Sequence, residues 1–151
     1  MFKNILARFR NKRTVDIMVS KDMLRDIYKL LQSVRLDLVE SFYRIKDRKL
    51  REAYDPFAFM LLKYDKIIQF LRRILDEDLY TKHQKLSPQE VEEIILKLPL
   101  DVASTIRNLI QASKLLKEFS SSTSTPYIIS IIKSINDIAD DIAKYLDKIV
   151  N

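Results

Sequence analysis

Apolar residues recur at intervals of three and four positions along most of this 151-residue chain. From Leu24 to Ile45 they follow the i, i+3, i+4, i+7 spacing that places side chains on one face of an α-helix. Ser20 is a good helix N-cap, and Asp22 would complement the helix dipole in the first turn. The pattern predicts a core-facing helix that begins after Ser20 and ends at about Ala53.

The next helix is predicted over residues 56–75, with Asp55 as its N-cap and Pro56 as its first residue. Apolar side chains cover most of its circumference, and Phe59, Leu62 and Phe70 widen the apolar side. A helix that is apolar around most of its girth is usually buried in the middle of a fold. We therefore expect this helix to be the central one.

The sequence SPQE (87–90) predicts the start of a short helix, with a serine N-cap, a proline at the first helical position and a glutamate that completes a capping box. Pro99 would end this helix. A longer helix is predicted from Asp101 to about Phe119, and the polar residues 76–86 are predicted to form a loop.

The run SSSTST (120–125) has the composition of a flexible linker, with Thr125 as a cap for the helix that follows. That last helix is predicted over 126–149, because its apolar residues form a heptad seam over three repeats. The seam would pack on the chain's own bundle or serve as an interface with a partner, including a second copy. The seam residues are Ile128, Ile131, Ile135, Ile138, Ile142, Tyr145 and Ile149.

These elements predict an all-α fold, a compact bundle of about five to six helices without a β-sheet. The chain contains no glycine, whereas tight hairpins, phosphate-cradling loops and nucleophile elbows usually need it. Its loops should therefore do without left-handed glycine. We divide the chain into a basic arm or short amphipathic helix (1–19), a bundle core (20–119), the linker (120–125) and the last helix (126–151).

Composition narrows the function classes further. The absence of cysteine excludes disulfides and thiolate chemistry. No apolar run reaches the roughly 18–20 residues of a membrane helix, and the opening stretch lacks the apolar core of a signal peptide, so we expect a cytoplasmic protein. Many lysines, glutamates and isoleucines without cysteine or glycine are also typical of heat-adapted proteins.

Positive charge is concentrated in the first half of the chain. Residues 1–75 have 18 Lys and Arg against 9 Asp and Glu, whereas residues 76–151 have 9 against 12. If the two helices of residues 20–75 pack antiparallel, their polar backs would form a positive strip that follows a phosphate backbone without reading bases. The residues predicted to bind nucleic acid are Arg8, Arg10, Lys12, Arg13, Arg25, Lys29, Arg44, Arg48, Arg51, Lys63, Lys66, Arg72 and Arg73.

The opening segment MFKNILARFRNKR (1–13) carries five positive charges and no acid. Its residues Phe2, Ile5, Leu6 and Phe9 have helical spacing, so it would form a short amphipathic helix. Such a helix could bind a polyanion, a neighbouring subunit or a membrane surface. Because the positive excess continues through residue 73, we favour the polyanion over the membrane.

Candidates for catalysis are few. His83 is the only histidine, and one histidine cannot make the usual clustered metal site or a catalytic pair. The adjacent acids 76–78 would point in different directions. Tyr43, Tyr54 and Tyr80 lie off the apolar stripes or at their ends, which leaves them freer to stack on a ligand.

Three aspartates of the last helix, Asp137, Asp140 and Asp141, share one helix face. We expect that face to be solvated, with Lys133 and Lys144 as ion-pair partners. The sequence therefore predicts a protein that is not an enzyme and needs no metal or cofactor.

Two stretches carry a family resemblance. SKDMLRDIYKLLQSVR (20–35) has a hydroxyl residue followed by a Leu-Arg helix start, and MLLKYDKIIQFLRR (60–73) contains Leu-Lys and ends in arginine. Together residues 20–75 resemble the all-helical small subunit of type III CRISPR–Cas effector complexes. The resemblance implies a non-catalytic subunit that stacks along the complex and contacts the backbone of guide–target RNA. The matching residues are Arg25, Lys63, Arg72 and Arg73.

The sequence thus predicts a non-catalytic helical subunit of a multi-protein nucleic-acid complex. It would bind a phosphate backbone without sequence specificity, with RNA favoured over DNA. The alternative is a structural or assembly protein, such as a virion component, that acts through protein–protein contacts and self-association.

Overall fold

The computed structural model describes residues 14–75, 85–122 and 124–149, with side chains from residue 21 onward. Within these ranges the chain forms five α-helices and no β-strand, which confirms the predicted all-α bundle. The helices are α1 (Thr14–Asp47), α2 (Tyr54–Leu75), α3 (Pro88–Ile95), α4 (Leu100–Phe119) and α5 (Thr125–Ile149), with a 3₁₀ turn (Arg51–Ala53) between α1 and α2.

Helices α1, α2, α4 and α5 form the bundle. In it α1 packs against α2 and α4, and α5 packs against the same two helices. Helices α1 and α2 run antiparallel, since Arg35 pairs with Asp65 and Phe42 stacks on Phe57 farther along. The short helix α3 lies outside this bundle, over α1 and α4. Its leading segment is attached to α1 by the Leu86 N–H, which donates to Ser33 Oγ at 3.0 Å.

One continuous apolar core runs through the bundle. Its largest fully buried side chains include Phe57 and Tyr64 of α2. The Tyr64 hydroxyl donates to the Ile135 carbonyl of α5 at 2.7 Å, and burial is the main reason that the pKa of Tyr64 is raised well above its usual range. This bond fixes α5 against α2 within the apolar interior, where a hydroxyl without a partner would be costly.

The first helix differs from its prediction at both ends. Residues 14–20 belong to α1, so Ser20 is not its N-cap, and the helix ends at Asp47 rather than near Ala53. It ends there because Lys49 adopts a left-handed backbone conformation, with φ of 56°. The Leu50 N–H then donates to the Ile45 carbonyl and the Lys49 N–H to the Lys46 carbonyl, the two bonds of a Schellman motif.

Lys49 therefore occupies a position that usually holds glycine, although we expected loops without such a site. A residue with a Cβ atom pays roughly 1–2 kcal/mol for this conformation. We expect Lys49→Gly to raise the free energy of unfolding by about 1 kcal/mol in urea titrations. The matched control, Lys46→Gly in the last turn of α1, should lower it by about 1 kcal/mol; equal effects of the two variants would contradict this role of Lys49.

The other helix boundaries are closer to their predictions. The capping box at α3 is confirmed: Ser87 Oγ accepts from the Glu90 N–H at 3.2 Å, and Glu90 Oε1 accepts from the Ser87 N–H at 3.1 Å. The helix α2 begins at Tyr54, two residues early, because the 3₁₀ turn leads directly into it. Ser120, assigned to the flexible linker, is instead buried and donates from its hydroxyl to the Lys117 carbonyl.

Candidate nucleic-acid interface

The structure divides the thirteen predicted nucleic-acid-binding residues into separate groups. Arg8, Arg10, Lys12 and Arg13 lie outside the described residues, as do His83, Tyr80 and the acids at 76–78. The other nine come from α1, the 3₁₀ turn and α2, but they do not form the single positive strip that we expected.

Arg44 and Arg48 point toward α4. Arg44 Nη1 donates to the Lys117 carbonyl at 2.8 Å, and Arg48 Nη1 donates to the Ser120 carbonyl at 2.9 Å. The last carbonyls of a helix have no partner within the helix and carry partial negative charge, so cations are favourable there. These two arginines therefore cap the end of α4, which corrects their assignment to the strip.

Lys63 points toward α5 instead. Its Nζ lies 3.0 Å and 3.1 Å from the two carboxylate oxygens of Asp140. This ion pair also corrects the expectation that Lys133 and Lys144 would pair with the aspartates of this helix: Asp140 pairs with α2. Arg51 is exposed in the 3₁₀ turn, about 30 Å along the α1 axis from Lys29.

The remaining five residues, Arg25, Lys29, Lys66, Arg72 and Arg73, lie toward the same end of the α1–α2 pair. We call this group the basic end. Arg72 Nε of α2 donates to the hydroxyl of Tyr28 at 3.4 Å. Tyr28 directly precedes Lys29 in α1, so Arg72 lies near Lys29. Lys66 and Arg73 are seven residues apart on α2 and both are exposed, so they lie on one outward face. Two helices thus bring these cations together.

A shallow polar groove of about 210 Å³ separates the two helices beside the basic end. Arg35 and Asp65 pair across it, at 2.5 Å between Nε and Oδ1, and Arg72 lies in its wall. Arg25 pairs with the exposed Asp22 at 3.5 Å. Sequence reasoning missed Arg35, although its antiparallel pairing with Asp65 follows once α1 and α2 are placed side by side.

The same outward face carries apolar side chains farther along. Phe59 and Leu62 of α2 are 68% and 51% exposed, and Tyr43 of α1 is 62% exposed. We had assigned Phe59 and Leu62 to the widened apolar side of a central helix, yet both face solvent. They precede Lys66 by seven and four residues, so the apolar patch and the basic end adjoin on one surface of α2.

The isoleucine seam of the last helix lies inside the bundle. Ile128, Ile131, Ile135 and Ile142 are buried, while Ile138, Tyr145 and Ile149 are partly buried and pack against the core. The Tyr145 hydroxyl donates to Met23 Sδ of α1 at 3.1 Å. Of the two roles proposed for this seam, the structure shows packing on the chain's own bundle, and a partner could contact the four buried isoleucines only if α5 left its place.

The described ranges 14–75, 85–122 and 124–149 also bear on metal sites and membrane spans. No group of three or more histidine, aspartate or glutamate side chains comes together there as a metal site. Likewise, none of the described helices is long and apolar enough to cross a membrane.

Comparison of the chain with known protein families, with curated proteins and with solved structures finds no match.

Proposed function

We propose that this chain is a non-catalytic helical subunit that binds the phosphate backbone of RNA or DNA through the basic end of α1 and α2. The observation that supports the proposal is the convergence of five cations from two helices on one side of the bundle, three of them, Lys29, Lys66 and Arg73, well exposed. Asp22 pairs with Arg25 there and Asp65 pairs with Arg35, so the proposal rests on the three exposed cations rather than on the arginines that have partners.

Such a surface would bind without sequence preference. Side chains of lysine and arginine on the outside of a helix pair contact phosphates at the spacing of the backbone, and phosphate contacts carry no base information. The polar groove beside Arg72 adds hydrogen-bonding groups for sugar or phosphate oxygens. The proposal therefore concerns a subunit that holds nucleic acid for other proteins of a larger assembly.

The resemblance to type III CRISPR–Cas small subunits is the most specific form of this proposal, and it favours RNA over DNA. Three of the four residues matched to that family, Arg25, Arg72 and Arg73, belong to the basic end. The fourth, Lys63, faces Asp140 on the side of α5, so the proposal does not use it.

The test is a binding titration by fluorescence anisotropy with labelled single-stranded RNA, single-stranded DNA and duplexes of unrelated sequence. We expect unrelated sequences of one type of nucleic acid to bind with similar affinity. For single strands, a plot of log affinity against log salt concentration should have a slope of about −0.7 for each phosphate that the protein neutralises. Absence of binding to all probes at about 50 mM salt would contradict the proposal.

The exposed apolar patch favours a second candidate function, assembly through protein contacts. Contiguous exposed apolar side chains mark interaction surfaces, whereas single exposed ones do not. Phe59 and Leu62 lie one turn apart on α2, and both are large and exposed. This protein would then self-associate, or retain a protein partner, without nucleic acid.

Sedimentation of the nuclease-treated protein tests this candidate. We expect any assembly through the patch to be lost in Phe59→Ser/Leu62→Ser. It should persist in the matched control Leu96→Ser/Leu100→Ser, which alters two exposed leucines near α3. A monomer in every sample, with no protein partner retained on purification, would remove this candidate.

A further inference from the structure

A groove of about 790 Å³ lies between α1, α3 and α4. We call it the α3 groove. Protein interiors normally leave few voids larger than a water molecule, whereas pockets for small ligands enclose about 300–1,000 Å³. The groove therefore has the size of a ligand site, on a side of the bundle separate from the outward face of α2.

Helix α3 forms one wall of the groove and is held on the bundle by the buried side chain of Ile95 and by polar contacts. At its start the Leu86 N–H is bonded to Ser33. After its end Lys97 Nζ lies 3.7 Å from Asp26 Oδ2. Toward α4, both guanidinium nitrogens Nη1 and Nη2 of Arg107 bond the two carboxylate oxygens of Glu92, at 2.9 Å and 2.6 Å. These attachments hold α3 across the gap between α1 and α4.

The inner surface of the groove is largely apolar. Leu30 and Val34 of α1 and Ile95 of α3 are buried and form its floor. Val91 and Ile110 line it as well, and both are only partly buried. Apolar surface that the described residues leave uncovered in a concave site would be covered favourably by the apolar body of a ligand.

The carboxylates of the groove are already paired. Asp37 Oδ1 lies 2.7 Å from Lys85 Nζ and 3.4 Å from Lys117 Nζ, and Glu92 is held by Arg107. Lys117 also bonds Glu40 at 3.0 Å; this hydrogen bond raises the pKa of Lys117 and lowers that of Glu40, so both stay charged at neutral pH.

One cation at the groove is not paired in this way. Lys114 of α4 lines the groove and is exposed, and among the described residues it has no carboxylate partner. Gln111 and Asn108 lie about one and two turns before it on α4 and also line the groove, and their amides supply further hydrogen-bond donors. The unpaired charge and these donors favour a ligand group that is anionic and rich in acceptors.

We propose that the α3 groove binds a small amphipathic anion, a molecule with an apolar body and one carboxylate or sulfonate. The apolar body would lie on Val91 and Ile110 beneath α3, and the anionic group would bond Lys114 at the open edge. The proposal does not depend on nucleic-acid binding, since it uses none of the residues of the basic end.

Anilinonaphthalene sulfonate is a suitable probe, because it joins an aromatic body to a single sulfonate and fluoresces in apolar surroundings. We expect saturable binding of one probe per folded chain, and competition by decanoate. The variant Lys114→Glu should weaken binding about tenfold, the effect of losing one charge-assisted hydrogen bond. Ile110→Trp should abolish it by filling the groove.

The matched control is Lys148→Glu, which reverses an exposed lysine on α5 and should leave the affinity unchanged. Thermal unfolding of each variant checks that the bundle is intact, since this probe also binds partly unfolded chains. The proposal is overturned if folded protein shows no saturable binding. Affinities that are unchanged in both Lys114→Glu and Ile110→Trp would overturn it too.

Discussion

The triple variant Lys29→Glu/Lys66→Glu/Arg73→Glu is expected to bind RNA about a hundredfold more weakly than the unaltered chain at about 100 mM salt. The three side chains are the exposed members of the basic end, and each reversal replaces attraction to a phosphate with repulsion. Since each lost phosphate contact also removes a released counterion, the dependence of affinity on salt should become shallower by about two to three units on a log–log plot. Anisotropy titrations across a salt series measure both quantities.

A matched variant separates a binding surface from net charge alone. Lys133→Glu/Lys144→Glu/Lys148→Glu changes the net charge by the same amount on the exposed side of α5. We expect this variant to keep its affinity within a few-fold. If the two triple variants weaken binding equally, the protein attracts nucleic acid through its overall charge, and the assignment to the basic end is wrong.

Ile135→Ala is expected to lower the free energy of unfolding by about 3 kcal/mol, because it removes buried methyl groups and leaves a cavity. Ile135 is fully buried, and its carbonyl accepts the hydroxyl of Tyr64. If the backbone shifted to fill the cavity, it would strain that hydrogen bond. We therefore expect little structural relaxation to offset the lost free energy of unfolding. Urea unfolding of the purified protein measures it.

Ile138→Ala is the control within the same helix. Ile138 belongs to the heptad seam but is only partly buried against the core, so its truncation should cost about 1 kcal/mol. If the seam instead served a partner and packed loosely in the single chain, both variants would leave the stability of the isolated protein nearly unchanged. That outcome would contradict the internal packing described above.

Local patterns were sufficient to predict the helices but not the directions of their charged side chains. Apolar spacing predicted the last helix to within a residue, and SPQE predicted the capping box, because both depend on neighbours within a few positions. The direction in which each charged side chain of α1 points depends on its angular position around a long helix. From Lys29 to Arg44 an α-helix turns by about 60° beyond whole turns, and to Arg48 by about 100°. This angular offset can be calculated from the residue spacing alone, and it turns the two arginines toward α4.

Other features needed the tertiary arrangement. Nothing near Lys63 in the chain indicates that Asp140 lies beside it, because that pairing depends on where α5 enters the bundle. The exposure of Phe59 has the same origin, since an apolar side chain predicts burial only when another element covers it. The α3 groove likewise depends on three elements that are distant in sequence.

The position of α5 between α2 and α4 has a consequence for how the protein is made. Tyr145, near the end of α5, contacts Met23 in the first half of α1. The buried Tyr64 hydroxyl of α2 donates its hydrogen bond to the carbonyl of Ile135 in α5. A nascent chain that extends only through α4 therefore exposes the apolar faces on which α5 will pack. Folding must wait until α5 has left the ribosome, and during that interval the unfinished bundle is open to aggregation and to chaperones that bind exposed apolar surface.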